Sequence, residues 1–379
     1  MQYPLEIDYD YGAVDKSIFA QAPLPGLERW AALLPPLADI SLGEGGTPLL
    51  PSTYAARLAG FDGDLLLKDE SRNPTGSHKD RLNFCAVSAA LLSGARGIVV
   101  ASSGNHAAAA AAYSARAGLP CIAVVGPSTK PAFREMFAAF GAEVVVVPLH
   151  ERWALTNRLV RETGFIPVSN LTRYHTSSAF GPEGYKTIAY ELYLQLGCRA
   201  PGSVIIPTAY GELLFGVAKG FWEMTRLGLI AKSPTIMSAE PPGGPLARSF
   251  ALGLPAMEVE VGATVAASIA SPVSGYRGIR ALHMSGGRAL TFHENTLLAV
   301  HEGLSRSGFW QEASGVAGLS ALKEAIADGE RFNEPIVVIL TSGGFKDLVA
   351  DPEQMPLSDT QTIEILVNRF QRHDSHRKR

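Results

Sequence analysis

Short apolar, β-branched runs recur along this chain with helical patterns between them. That alternation narrows the fold more than any other feature. Ile98–Ala101 reads as a buried strand, His106–Ala117 as a helix and Cys121–Val125 as the next strand. Pro131–Phe140 follows as a helix and Glu143–Val147 as a strand. Later, Val204–Ile206, Thr235–Ala239 and Ile336–Leu340 read as strands, with Leu213–Arg226 a helix after the first of them. Strands that are apolar throughout need cover on both faces, which a parallel sheet between helical layers provides. The separators Ala117-Gly-Leu-Pro120 and Phe140-Gly-Ala142 have the length that βα units use. An α/β fold is therefore expected, with parallel sheets covered by helices. Its two sheet-forming blocks flank an irregular middle, Ser169 to Gly181, rich in Ser, Thr and aromatic residues, which reads as a crossing or lid segment.

At 379 residues the chain exceeds the size at which a single core keeps growing, so two lobes are expected. The reading is a smaller, mobile lobe of residues 53–171 inserted into a larger one of residues 1–52 and 172–379. A composition that is 46% hydrophobic and 18% charged suits a folded α/β enzyme rather than a disordered or fibrous chain. The formal net charge of −3 gives no electrostatic case for nucleic acid or an anionic membrane. Cys85, Cys121 and Cys198 lie too far apart for a zinc motif or a disulfide framework. The acidic N-terminus carries no basic-then-apolar signal, and no apolar stretch is long enough to span a bilayer. A soluble protein of the reducing cytoplasm is the expectation, with no metal.

The chemistry concentrates at Asn73-Pro-Thr-Gly-Ser-His-Lys-Asp-Arg81, just ahead of a helical pattern from Leu82 to Leu92. Gly76 and Ser77 form a turn-and-cap pairing that would hold Lys79 at a helix start. There the positive helix terminus and desolvation both disfavour the charged amine. The neutral, nucleophilic form is what Schiff-base chemistry with a carbonyl requires. Three further segments accompany it in order along the chain. Leu42-Gly-Glu-Gly-Gly-Thr-Pro-Leu49 lies upstream, Val100-Ala-Ser-Ser-Gly-Asn-His106 downstream, and Leu340-Thr-Ser-Gly-Gly-Phe-Lys-Asp347 near the end.

These four segments together resemble the fold-type II family of pyridoxal-phosphate enzymes, over about residues 40–350, and within it the threonine synthases. The resemblance implies a two-lobed, tryptophan synthase β-like fold with pyridoxal 5′-phosphate in the cleft between lobes. It also implies a small amino-acid substrate and a homodimer. Lys79 would take the cofactor aldehyde and serve as the catalytic base. Asn105 matches the family's partner for the ring oxygen, although its place ahead of a helix equally suits an Asx cap. Ser102, Ser103, Asn105 and His106 match the loop that binds the substrate's α-carboxylate; the histidine is a departure and reads equally as a cap. The cofactor phosphate falls by position on Thr208, Ala209, Tyr210, Gly211 and Glu212. Only one glycine remains there, and Glu212 would have to point away or find a cation, because like charges repel in a dry site. Thr341 matches the hydroxyl that contacts the pyridine nitrogen, with Ser342 the alternative one residue on. Lys68 matches a lysine near the substrate's distal phosphate. Arg173 and His175 fall where the family places phosphate-binding groups, yet read equally as solvent-facing charges.

The implied activity is a lyase reaction converting O-phosphohomoserine and water to threonine and phosphate. A serine or threonine dehydratase, or a β-replacing relative, is the nearest rival. A cofactor carrier without turnover is opposed by the joint presence of Lys79, Ser102, Asn105 and Thr341. A nicotinamide oxidoreductase is opposed by the lack of Gly-x-Gly-x-x-Gly after a first strand.

Overall fold

The computed structural model describes residues 3–20, 24–172 and 174–348. Its strands are β1 (Leu49–Pro51), β2 (Leu65–Asp69), β3 (Ile98–Ala101), β4 (Cys121–Val125), β5 (Glu143–Val146), β6 (Ile166–Pro167), β7 (Ser203–Pro207), β8 (Thr235–Glu240), β9 (Ala289–Thr291) and β10 (Ile336–Leu340). The helices are α1 (Thr53–Ala59), α2 (Lys79–Leu92), α3 (Asn105–Ala117), α4 (Pro131–Ala139), α5 (Arg152–Thr163), α6 (Lys186–Gln195), α7 (Glu212–Arg226), α8 (Pro245–Ala251), α9 (Tyr276–Ser285), α10 (Glu294–Arg306) and α11 (Ala317–Ala327). Among the described residues none is long and apolar enough to cross a membrane.

The strands form a six-stranded sheet in the order β1-β2-β10-β7-β8-β9 and a four-stranded sheet in the order β5-β4-β3-β6. Every pairing is parallel except β1 with β2. The apolar strands behave as their composition requires. In β10, Val337 and Ile339 face one core cluster while Ile336, Val338 and Leu340 face another. β7 divides in the same way, Val204 and Ile206 against Ile205. Successive side chains point to opposite faces, so a strand apolar throughout serves two helical layers at once. The four-stranded sheet comes from residues within 98–167, whereas β2, earlier in the segment 53–171, pairs with β10 in the larger sheet. β5 is an outer strand with Val144 and Val146 exposed, so its apolar run marks an edge rather than a covered strand.

Helix α2 begins at Lys79 rather than at Leu82. Its first turn, Lys-Asp-Arg, has no apolar periodicity to announce it. The Ser77 hydroxyl instead accepts the Lys79 amide at 3.3 Å and satisfies one of the unpaired donors of the helix start.

Candidate active site

Most polar groups of the Asn73–Arg81 segment are spent on holding the segment itself. Asn73 accepts the Gly45 amide at 2.9 Å and donates to Glu70. Asp80 accepts from the Thr75 amide and hydroxyl at 3.0 and 2.9 Å. Its carboxyl is pushed up to about 7 by burial, against the hydrogen bonds from Thr75. Arg81 is fully buried between Glu70 (2.7 Å) and Glu191 (2.6 Å). The segment is also sewn to the end of β10. The His78 amide donates to Thr341 O at 3.0 Å, Ser77 bridges Ser342, and the Gly343 amide donates to Gly76 O at 3.0 Å. Lys346 adds its Nζ to Gly76 O at 2.8 Å and to Asn105 Oδ1. Gly76 has φ 77°, and a Cβ there would meet the Phe345 ring at 2.8 Å, so the turn needs glycine twice over. The outcome is a half-buried Lys79 beside the C-terminal end of a central strand, where open α/β sheets place their ligands.

The starts of α3 and α7 are among those that carry no side-chain cap. At α3 the amides of Asn105, His106 and Ala107 donate to no group among the described residues. At α7 the same holds for the consecutive amides of Ala209, Tyr210, Gly211 and Glu212. Gly211 makes this possible with φ 95°, packed so closely on α9 that a Cβ would lie 2.3 Å from Gly278 Cα. Both termini present unpaired donors and the positive end of a helix dipole, which is the chemistry of anion binding.

Burial, not charge, disfavours the ammonium form of Lys79. Its Nζ donates to Tyr185 Oη at 3.0 Å, burial lowers its pKa, and Glu212 pulls the other way. Burial, reinforced by Lys79, holds His106 down at about 3 and His78 well below its ordinary value. His175 is held at about 4 by burial, against the pull of Glu212. Glu212 stays ionised. Burial raises its carboxyl, but the neighbouring His175, Lys79 and Arg277 together outweigh that and the net shift is downward. With His175 neutral near pH 7, the fixed cation beside Glu212 Oε1 is Arg277, 3.6 Å away.

Residues 40–343 match the family described as pyridoxal-phosphate dependent enzymes. The chain belongs to that family. It is 33% identical to the threonine synthase of Mycobacterium tuberculosis (strain ATCC 25618 / H37Rv) over 323 residues, 84% of this chain and 86% of that protein. It is 29% identical to the threonine synthase of Methanosarcina acetivorans over 360 residues, 92% of this chain and 86% of that one. Maize serine racemase shares the fold, with a TM-score of 0.67 at 22% identity over 87% of this chain and 94% of the other. The protein is thus a pyridoxal-phosphate-dependent lyase of fold type II, as the four motifs implied.

The residues present fit this cofactor. A family member needs an amine for the aldehyde, donors for the phosphate and a partner for the ring nitrogen. Lys79, the four free amides of residues 209–212, and the Thr341 hydroxyl, which makes no hydrogen bond among the described residues, answer these needs. Some of the other expected positions are corrected. Lys68 is fully buried, its three donors taken by Glu191 (2.6 Å), Thr47 O (2.7 Å) and Gln195 (3.0 Å), so it cannot face a substrate. Thr208 follows β7 directly and has no donor left for the cradle, its amide bonded to Ala239 O at 2.8 Å and its hydroxyl to Ile206 O at 2.7 Å. Asn105 does not cap α3; its amide donates to Glu312 at 2.9 Å while its oxygen accepts from Lys346. Ser103 accepts the Gly126 amide at 2.8 Å and Ser102 the Gly104 amide at 3.4 Å, leaving both hydroxyl protons free. His175 is not a solvent-facing charge: its ring stacks on Tyr210 with centroids 3.9 Å apart and lies 3.5 Å from Glu212. Arg173 lies outside the described residues. Ser342 joins the bridge to Ser77 and is buried. The sequence reading missed Tyr185, Glu312, Lys346 and Arg277. Lys346 stood inside a recognised motif and Tyr185 in Glu183-Gly-Tyr-Lys-Thr187, but nothing local marks Glu312 or Arg277.

Proposed function

We propose that this enzyme is a lyase of the threonine synthase type, taking O-phosphohomoserine and water to threonine and phosphate. The observation that supports it most is the 33% identity with threonine synthases across 84% of the chain, with the lysine motif and both free-amide cradles in place. In this reading, bound pyridoxal phosphate supplies the electron sink that makes the hydrogens at Cα and Cβ labile. Lys79, whose ammonium form burial disfavours, takes and returns those protons. Tyr185 holds the Lys79 amine in one orientation by accepting its hydrogen bond at 3.0 Å. The amides at the start of α3, with Ser102 and Ser103, bind the α-carboxylate, and those of residues 209–212 bind the cofactor phosphate. Thr341, or Ser342 one residue on, donates to the ring nitrogen, and Asn105 keeps a second amide proton for the ring oxygen. The lobe built on the four-stranded sheet closes over the substrate, and the enzyme works as a homodimer in the cytoplasm.

One observation favours a second reading. Lys68 is sealed in a buried ion network, so the family lysine expected near a distal phosphate is not available. A substrate whose leaving group is a β-hydroxyl needs no such cation, which fits a serine or threonine dehydratase. Incubation with O-phosphohomoserine separates the two. Release of phosphate and threonine in equal amounts supports the first reading. Formation of a 2-oxo acid from serine or threonine, with no phosphate released from O-phosphohomoserine, supports the second and removes the first.

A further inference from the structure

The cradle at the start of α7 carries a carboxylate at its first helical position, where an incoming dianion would meet it. Glu212 is 7% exposed and its Oε1 forms no hydrogen bond. The side chains near it are His175, with Nδ1 at 3.5 Å, and Arg277, with Nη1 at 3.6 Å. Both distances are too long for good hydrogen bonds. Arg277 is 3% exposed and comes from the N-terminus of α9, which packs directly on the cradle. A Cβ on Gly275 would lie 2.5 Å from Tyr210 O, and one on Gly211 would lie 2.3 Å from Gly278 Cα. The guanidinium lies over the Phe215 ring, 5.8 Å from its centroid, and its hydrogen bonds go only to backbone. Nη1 donates to Thr176 O (2.9 Å) and Ser178 O (3.2 Å), Nη2 to Leu5 O (2.7 Å), and the buried Nε has no partner. Carbonyl oxygens leave its full positive charge uncancelled, and Glu212 is the carboxylate placed against it.

We propose that Arg277 is the countercharge for the cofactor phosphate in this chain, and that Glu212 competes with the phosphate for it. This rests on the reading that the phosphate sits on the amides of residues 209–212. Those amides supply dipoles but no net charge, and a dianion beside a buried carboxylate is repelled strongly unless a cation lies between. Arg277 is that cation, and it is a positioning residue for the cofactor rather than a participant in proton transfer. The arrangement makes affinity for the phosphate a difference between one attraction and one repulsion, and each can be removed separately.

The test strips the full-length protein of cofactor and titrates it with pyridoxal phosphate and with pyridoxal, which lacks the phosphate, following absorbance. The ratio of the two affinities isolates the phosphate. Arg277→Met should lower that ratio at least about tenfold, the scale on which a neighbouring buried charge shifts an ionisation. Glu212→Gln should raise it by a similar factor, and it leaves the Arg277 contacts to Leu5, Thr176 and Ser178 in place if Arg277→Met fails to fold. Equal weakening of both ligands in Arg277→Met would show that the arginine only ties loops together, and would overturn the proposal. So would an unchanged or lowered ratio in Glu212→Gln. A wild-type protein that prefers pyridoxal phosphate no more than pyridoxal would instead remove the underlying phosphate placement.

Discussion

Lys79 is the residue on which the proposed chemistry turns, and its environment gives a signed expectation. Burial depresses its pKa and Glu212 partly restores it. In cofactor-free protein, Lys79 should therefore acylate at lower pH than exposed lysines, and Glu212→Gln should move its profile lower still. Peptide mass spectrometry across a pH series reads both; an upward move in Glu212→Gln would contradict the assignment. In the holoenzyme, borohydride reduction should leave a pyridoxyl group on Lys79 and on no other lysine. Thr341→Val removes one neutral hydrogen bond, about 0.5–1.5 kcal/mol, so cofactor affinity should fall by about two- to twelvefold. Thr341→Asp should change the absorbance spectrum with substrate instead, by holding the ring nitrogen protonated. If both variants match the parent, Ser342 is the donor. At this scale the sequence was legible where one residue type is chemically required, as at Lys79. It was silent where the requirement is met from elsewhere in the chain, as when Arg277 reaches Glu212 from α9. Lys68 misled because a lysine in the right motif looks the same whether its donors are free or, as here, all taken.

Among the elements, strands were read almost to the residue wherever an apolar run is buried along most of its length, as in β3, β4 and β10. The short strands β1, β6 and β9 were not, since two or three residues carry no period. Helix α2 shows why its start was hidden: its first turn is polar and points into buried ion pairs. Arg81 joins that turn to Glu70 beside β2 and to Glu191 on α6, with Lys68 on β2 completing the group. Removing one partner of a buried pair leaves an uncompensated charge, which costs about 3–5 kcal/mol. Arg81→Met should lower stability by that amount in urea unfolding, whereas Arg158→Met should have little effect, since Arg158 and its partner Glu162 are both exposed. Equal effects would mean that the buried network is not what anchors the lysine helix.

Across the whole molecule, cysteine accessibility offers a simple check on the packing. Cys85 and Cys121 are buried, and burial raises both thiols, that of Cys121 to about 12; Cys198 is exposed. The native protein should take up one equivalent of iodoacetamide, at Cys198, and three after denaturation. The division into two sheets followed from size and alternation. The place of β2 in the larger sheet did not, because parallel pairing joins strands far apart in sequence. The same long-range stitching has a mechanical consequence. The turn bearing Lys79 and the strand end bearing Thr341 are joined backbone to backbone, so amine and hydroxyl keep a set separation like the jaws of a caliper. In the proposed reading a flat ring with its aldehyde and its nitrogen on opposite sides would be gauged by that gap, and inserting a single residue between Gly76 and Lys79 would open the jaws without touching either one.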